Sequence, residues 1–112
     1  MAYDEELTNR LRKCIGHKAG LEEKRMMGGV CFMLNGNMAC GASHPKGGSP
    51  HFMFRLGKDN TAINNLTGGE PMVMAGRLYR GFYLVQSDAC GDAMLDKWAT
   101  AALDFAGSLP AK

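Results

Sequence analysis

The sequence predicts a two-layer α+β domain in which helices pack against an antiparallel sheet, in the order α-β-β-β-α-β-β-α. Three observations predict it. Apolar residues recur at helical spacing near both ends of the chain. An Asn-Gly pair at 35–36 sits between two apolar runs. Further short segments, 52–56 and 81–86, alternate in the manner of half-buried strands.

The first helix is expected over Asp4 to Ile15, where Tyr3, Leu7, Leu11, Cys14 and Ile15 form one stripe. Asp4, Glu5 and Glu6 stand at its start, and Arg12, Lys13, His17 and Lys18 at or beyond its end, as the helix dipole favours. Gly16 or Gly20 stops it. Glu23 to Met27 leads into a hairpin, with Gly28-Gly29 allowing a kink or bulge before it. Asn35-Gly36 suits a two-residue type I′ turn, since both positions need positive φ. That turn sets Leu34 opposite Asn37, Met33 opposite Met38, Phe32 opposite Ala39 and Cys31 opposite Cys40. Val30, Phe32 and Leu34 then share one face, and Cys31, Met33, Met38 and Cys40 the other.

Residues 44–50 read as a Gly/Pro-rich loop and 52–56 as a third strand with Phe52, Phe54 and Leu56 on one face. Lys58 to Leu66 reads as a short helix or turn of weak propensity, ended by Thr67-Gly68-Gly69. Val73 and Met74 read as a short edge strand, and Gly81 to Gln86 as a better one. Ala93 to Ser108 is the clearest helix, with Met94, Leu95, Trp98, Ala101, Ala102, Phe105 and Leu109 as its buried stripe and Asp88 or Asp92 as its cap.

The chain of 112 residues, 46% of them hydrophobic, is read as one domain spanning 1–112 with a core of its own. Thirteen basic against eleven acidic residues give a formal charge of +2, which argues for weak or absent nucleic-acid binding. The aromatic residues sit in strand and helix patterns, not as a stacking platform. No apolar run approaches membrane-spanning length, and the acidic start differs from a signal peptide. The four cysteines lack CxxC spacing and are read as reduced thiols in the cytoplasm.

The segments "EEKRMMGGVCFMLNGNMACG" (22–41), "FRLG" (54–57), "GRLYRGFYLV" (76–85) and "WATAALDFAGSLP" (98–110), with "DEELTNRLR" at the start, resemble the TfoX/Sxy N-terminal domain family along nearly the whole chain. Met27 stands where relatives commonly have Phe. The resemblance implies a small α+β domain similar to secretion-chaperone folds. Its best-known members regulate natural competence (DNA uptake) genes and carry a second, C-terminal domain; this chain is read as a single-domain member. The resemblance implies no catalytic residues.

The residues themselves offer few sites. Cys31, Met33, Met38 and Cys40, brought together on one hairpin face, have the soft donors that Cu(I) prefers. No histidine or metal-binding loop accompanies them, and buried Cys and Met pack equally well as hydrophobes, so no metal and no cofactor are expected. As cross-strand partners, Cys31 and Cys40 are also a candidate thiol pair: two thiols able to form a strained, labile disulfide, and hence a redox sensor.

His17, His44 and His51 are scattered; Cys14 and Cys90 lack a nameable base; there is no Gly-x-Ser-x-Gly elbow and no phosphate loop. A non-enzymatic domain is expected. Arg10, Lys13 and His17 recur along the first helix, followed by Lys24 and Arg25, as a face for phosphate or an acidic partner, or as an ordinary solvated helix face, since Glu6, Glu22 and Glu23 dilute it. Arg77 and Arg80 flank an expected sheet edge, where charge blocks unwanted pairing.

With Met33 and Met38 on the second sheet face, opposite Val30, Phe32 and Leu34, and His51, Met53 and Arg55 opposite Phe52, Phe54 and Leu56, that face is expected to meet a protein partner or a second copy, unless loop 43–50 covers it. Arg10, Lys13, Met33 and Met38 are the candidate contact residues. A small-molecule or soft-metal binding domain is the other class kept open, beside the thiol redox sensor.

Overall fold

The structure, a computed structural model, describes residues 5–16, 19–26, 29–45, 47–58, 60–74, 76–89 and 91–111. Helix α1 spans Glu5–Ile15 and α2 spans Asp92–Ser108. Between them run six strands: β1 (Leu21–Met26), β2 (Gly29–Leu34), β3 (Asn37–Ser43), β4 (His51–Arg55), β5 (Gly69–Met74) and β6 (Arg77–Gln86). They form one antiparallel sheet in the order β1-β2-β3-β4-β6-β5. The helices pack against each other and against β3 and β4, giving the two layers.

The core lies between the layers. Val30, Phe32, Cys40, Phe52, Phe54 and Val85 meet Leu11 and Ile15 of α1 and Leu95, Trp98, Ala102 and Ala106 of α2. In α1, Leu7, Leu11 and Ile15 are buried and Cys14 half-buried, as the stripe predicts; Tyr3 and Asp4 lie outside the described residues. Gly16 closes the helix, its N–H donating to the Arg12 carbonyl at 3.0 Å.

The fully buried stripe of α2 is Leu95, Trp98, Ala99, Ala102, Leu103 and Ala106, so Met94, Ala101, Phe105 and Leu109 only flank it. The helix faces both α1 and the sheet, and its small residues permit the closer approach. Its cap is Gly91, with no side-chain bond, rather than Asp88 or Asp92. Asp92 instead takes the first turn, where it pairs with Arg10 at 2.8 Å.

Two elements differ from the expected order. The middle helix is a single 3-10 turn, Thr61–Asn65, begun by Asn60 accepting from the Ala62 N–H at 2.9 Å. Residues 21–26 form a strand. It escapes a periodicity reading because Glu22, Glu23, Lys24 and Arg25 are all exposed; charge on an edge strand discourages pairing with other chains.

Beside this edge, Arg12 of α1 grips Glu23 through two bonds, at 2.8 and 2.6 Å. The Arg12 hydrogen bond holds the Glu23 carboxyl below the usual range, against a smaller opposing effect of burial. A depressed carboxylate adds stability above its unfolded pKa and loses it as pH falls through the folded value. Both side chains are more than a third exposed, so the pair contributes only about 0.5 kcal/mol. Glu23→Gln is expected to cost that much at neutral pH and nothing in acid, measured by denaturant unfolding at both; an equal loss at the two pH values would refute the linkage.

The turn is as expected, with Asn35 at φ 53° and Gly36 at φ 84°. Leu34 faces Asn37 and Met33 faces Met38, but there the expected register ends. Phe32 faces Cys40 and Cys31 faces Gly41, leaving Ala39 as an unmatched residue in β3. This bulge resets the alternation of β3. It turns Cys40 and Ala42 toward the helices, opposite Phe54 and Phe52, and leaves Gly41 and Ser43 on the other face. The bulge expected at Gly28-Gly29 involves residue 28, which lies outside the described residues, as does Met27.

Candidate functional site

The helix-free face of the sheet carries one register row through all six strands. Lys24 pairs with Cys31, Cys31 with Gly41, Gly41 with Met53, Met53 with Leu84, and Leu84 with Glu70. The row is charged and exposed at both ends and uncharged between them. Over its middle lies a pocket of about 250 Å³. Cys31 and Gly41 form its floor, Met53 and Leu84 one side, and Met72 reaches it from β5. Ser43, Pro45 and His51 also line it, so Pro45 brings the 44–50 loop to this face.

Each wall has a local cause. A Cβ at Gly41 would lie 2.9 Å from the Val30 carbonyl oxygen, so the floor at that position is bare backbone. Met72 follows a register shift in β5 after Pro71, which moves it opposite Tyr79, where it is 7% exposed. His51 places Nδ1 3.1 Å from the Ser49 carbonyl oxygen. That oxygen only accepts, so Nδ1 carries the proton, and in the neutral ring Nε2 is the acceptor.

The thiols are poor nucleophiles. Burial pushes the Cys31 thiol up. Cys40 is pushed much further, by complete burial and then by its neighbours Cys31 and Cys14. Both remain protonated near neutral pH, and no disulfide joins Cys14, Cys31 or Cys40. Among the described residues, no three His, Cys, Asp or Glu side chains gather into a metal-holding group.

The expected Cys31–Cys40 thiol pair is corrected by the register. The two cysteines are not cross-strand partners, and their side chains leave the sheet on opposite faces, so a bond between them requires the strands to come apart. The four-sulfur cluster fails for the same reason: Met33 and Met38 stay paired and half-buried, while Cys40 has joined the core. Mild oxidation followed by peptide mass spectrometry is expected to find no Cys31–Cys40 link; recovering one in the folded protein would refute this register.

The other candidates are dispersed. Arg10 is engaged within the chain: it pairs with Asp92, donates to the Ser87 carbonyl at 2.6 Å, and lies over the Phe52 ring at 5.5 Å. Lys13 is exposed on α1, so neither residue shares a surface with Met33 and Met38 across the sheet. His17 and Cys90 lie outside the described residues. Arg77 and Arg80 lie in β6 where it pairs only with β5, forming a two-stranded ribbon. On that ribbon Val73 and Leu78 are cross-strand partners, 55% and 51% exposed, and Tyr79 is 38% exposed.

Sequence reasoning placed Met53 on the second sheet face but missed Leu84, Met72 and Gly41 as pocket walls, and it missed the exposed ribbon. A length of β6 reaching back to Arg77 was the one available signal, in the alternation of "RLYRGFYLV".

No helix among the described residues is long and apolar enough to cross a membrane. No curated protein and no solved structure matches the chain. The family profile of the TfoX N-terminal domain matches residues 15–106, which take in β1 through most of α2 and so both the pocket and the ribbon. The chain therefore belongs to the TfoX N-terminal domain family.

Proposed function

We propose that this chain is a non-enzymatic regulatory domain of the cytoplasm that acts in the control of competence genes through contact with a protein, either another regulator or a second copy. Family membership supports the regulatory role. The observation that carries the protein contact is the Val73–Leu78 pair, two large apolar side chains side by side on a projecting ribbon and each more than half exposed. Exposed apolar clusters of this kind usually mark association surfaces. Arg77 and Arg80 beside them favour an acidic rim on the partner. A formal charge of +2 supports indirect action on DNA, with weak direct binding at physiological salt.

The test is deletion of the gene in the parent cell, followed by measurement of DNA-uptake gene transcripts. The wild-type chain is expected to restore them, and a folded Val73→Asp/Leu78→Asp variant is not. Unchanged transcripts on deletion would overturn the regulatory role, and full rescue by the double variant would overturn the ribbon as the contact.

A further inference from the structure

We propose that the pocket on the helix-free face binds a small, neutral, chiefly apolar molecule carrying one O–H or N–H donor. This goes beyond the protein-contact reading and does not rest on it, since the ribbon pair Val73 and Leu78 does not line the pocket.

Four observations carry it. Ligand sites are concave clefts lined mainly by apolar side chains. Here about 250 Å³ stands open against Cys31 and Met72, each only 7% exposed although they come from distant strands of the sheet. At about 30 Å³ for each water, that is room for roughly eight waters, or one fused ring system. Secondly, among the described residues no Asp, Glu, Lys or Arg lines the space. The charges of the register row, Lys24 and Glu70, stand at its far ends, on the two edge strands. A charged ligand would lose its hydration there without gaining a counter-charge.

Thirdly, the side-chain lining is dominated by Met53, Met72, Leu84 and the Cys31 thiol. Thioether and thiol sulfur are polarizable and adapt to flat aromatic rings. Lastly, His51 is committed by the Ser49 carbonyl to donate from Nδ1, so its Nε2 offers one acceptor. With Ser43, His51 is one of the two polar side chains among the described lining residues, and its acceptor selects a ligand with a donor, as pockets commonly fix orientation with a few polar groups.

The experiment titrates the purified chain with three probes of nearly one shape. Indole has the N–H donor, benzofuran replaces it by oxygen, and indole-3-carboxylate adds a negative charge. Two-dimensional amide NMR reads binding. Indole is expected to saturate with a dissociation constant of about 0.1–1 mM, shifting the amides of β2, β3 and β4 around the pocket. Benzofuran is expected to bind roughly two- to tenfold more weakly, and indole-3-carboxylate not to saturate. Met53→Trp, which fills the cup, is expected to abolish indole binding; should it not fold by circular dichroism, Leu84→Phe is read in its place. His51→Ala is expected to lower indole to the benzofuran level.

No saturation by any probe, or saturation unaffected by the filling variants, would overturn the proposal. Equal binding of indole and benzofuran would overturn the donor requirement, and tighter binding of the carboxylate the requirement for neutrality. If indole fails to bind while Met53→Trp converts a dimer to a monomer in light scattering, the occupant is a second copy and the small-molecule reading falls.

Discussion

Replacing Trp98 by alanine is expected to lower the unfolding free energy by about 3–5 kcal/mol, a large share of what a domain of this size typically has. Trp98 is fully buried at the meeting point of α2, β4 and β6. Its ring stacks on Phe54 at 5.5 Å and meets Tyr83 at 5.8 Å. It also fills the space over Gly69, where a Cβ would lie 2.4 Å from the indole. With glycine beneath it and small Ala99 and Ala102 beside it, little can move into the void. The melting temperature is expected to drop by roughly 15–25 °C. Trp98→Phe separates packing from hydrogen bonding. It keeps a ring but removes the 2.9 Å bond from Nε1 to the Thr67 carbonyl, at a cost of about 1–3 kcal/mol. Chemical denaturation of the three proteins decides it; a loss below about 1.5 kcal/mol for Trp98→Ala would mean that the site collapses readily.

The second large effect is expected at Gly81, where β6 passes from pairing with both neighbours to pairing with β5 alone. Its φ is 84°, and a Cβ there would sit 2.7 Å from the Gly57 carbonyl carbon, a backbone atom that cannot swing aside. Its carbonyl also accepts from the N–H groups of Leu56 and Gly57, at 2.8 and 3.2 Å, which ties the end of β4 to β6. Gly81→Ala is expected to cost about 2–4 kcal/mol, the sum of left-handed strain and overpacking. Gly76→Ala is the control. Its φ is 75° with nothing within 4 Å of the added atom, so it carries the strain alone, about 1–2 kcal/mol. Equal losses for the two variants in parallel melts would show that the Gly57 contact relaxes at no cost.

The helices, the Asn35-Gly36 turn, and the strands around Phe52 and Val85 were legible because each has an apolar period and a recognisable stop. Residues 21–26 were not, because an edge strand whose inner residues are all charged has no period to read. The Ala39 bulge was invisible for a different reason. Ala39, Cys40, Gly41 and Ala42 are all small, so shifting them by one residue changes little in a hydrophobicity pattern, although it decides which of them meets the helices. The candidate thiol pair failed on that single step. The pocket lay further out of reach: Cys31, Met53, Met72 and Leu84 come from four strands, and the shift after Pro71 that delivers Met72 has no sequence marker beyond the proline itself. Arg10 read as a surface cation because its partners, Asp92 and Ser87, are distant in the chain.

The bulge gives position 39 an unusual kind of information. It lets two consecutive residues, Ala39 and Cys40, both bury their side chains in the core, where a regular strand would send one of them to the other face. Deleting Ala39 would leave a regular hairpin: Cys40 would still face Phe32, Gly41 would face Cys31 and Ala42 would face Val30, so each would keep its side of the sheet. A single lost codon at that point would therefore take one small side chain from the core and relax the local twist of the bulge, while the two surfaces of the strand stay as they are.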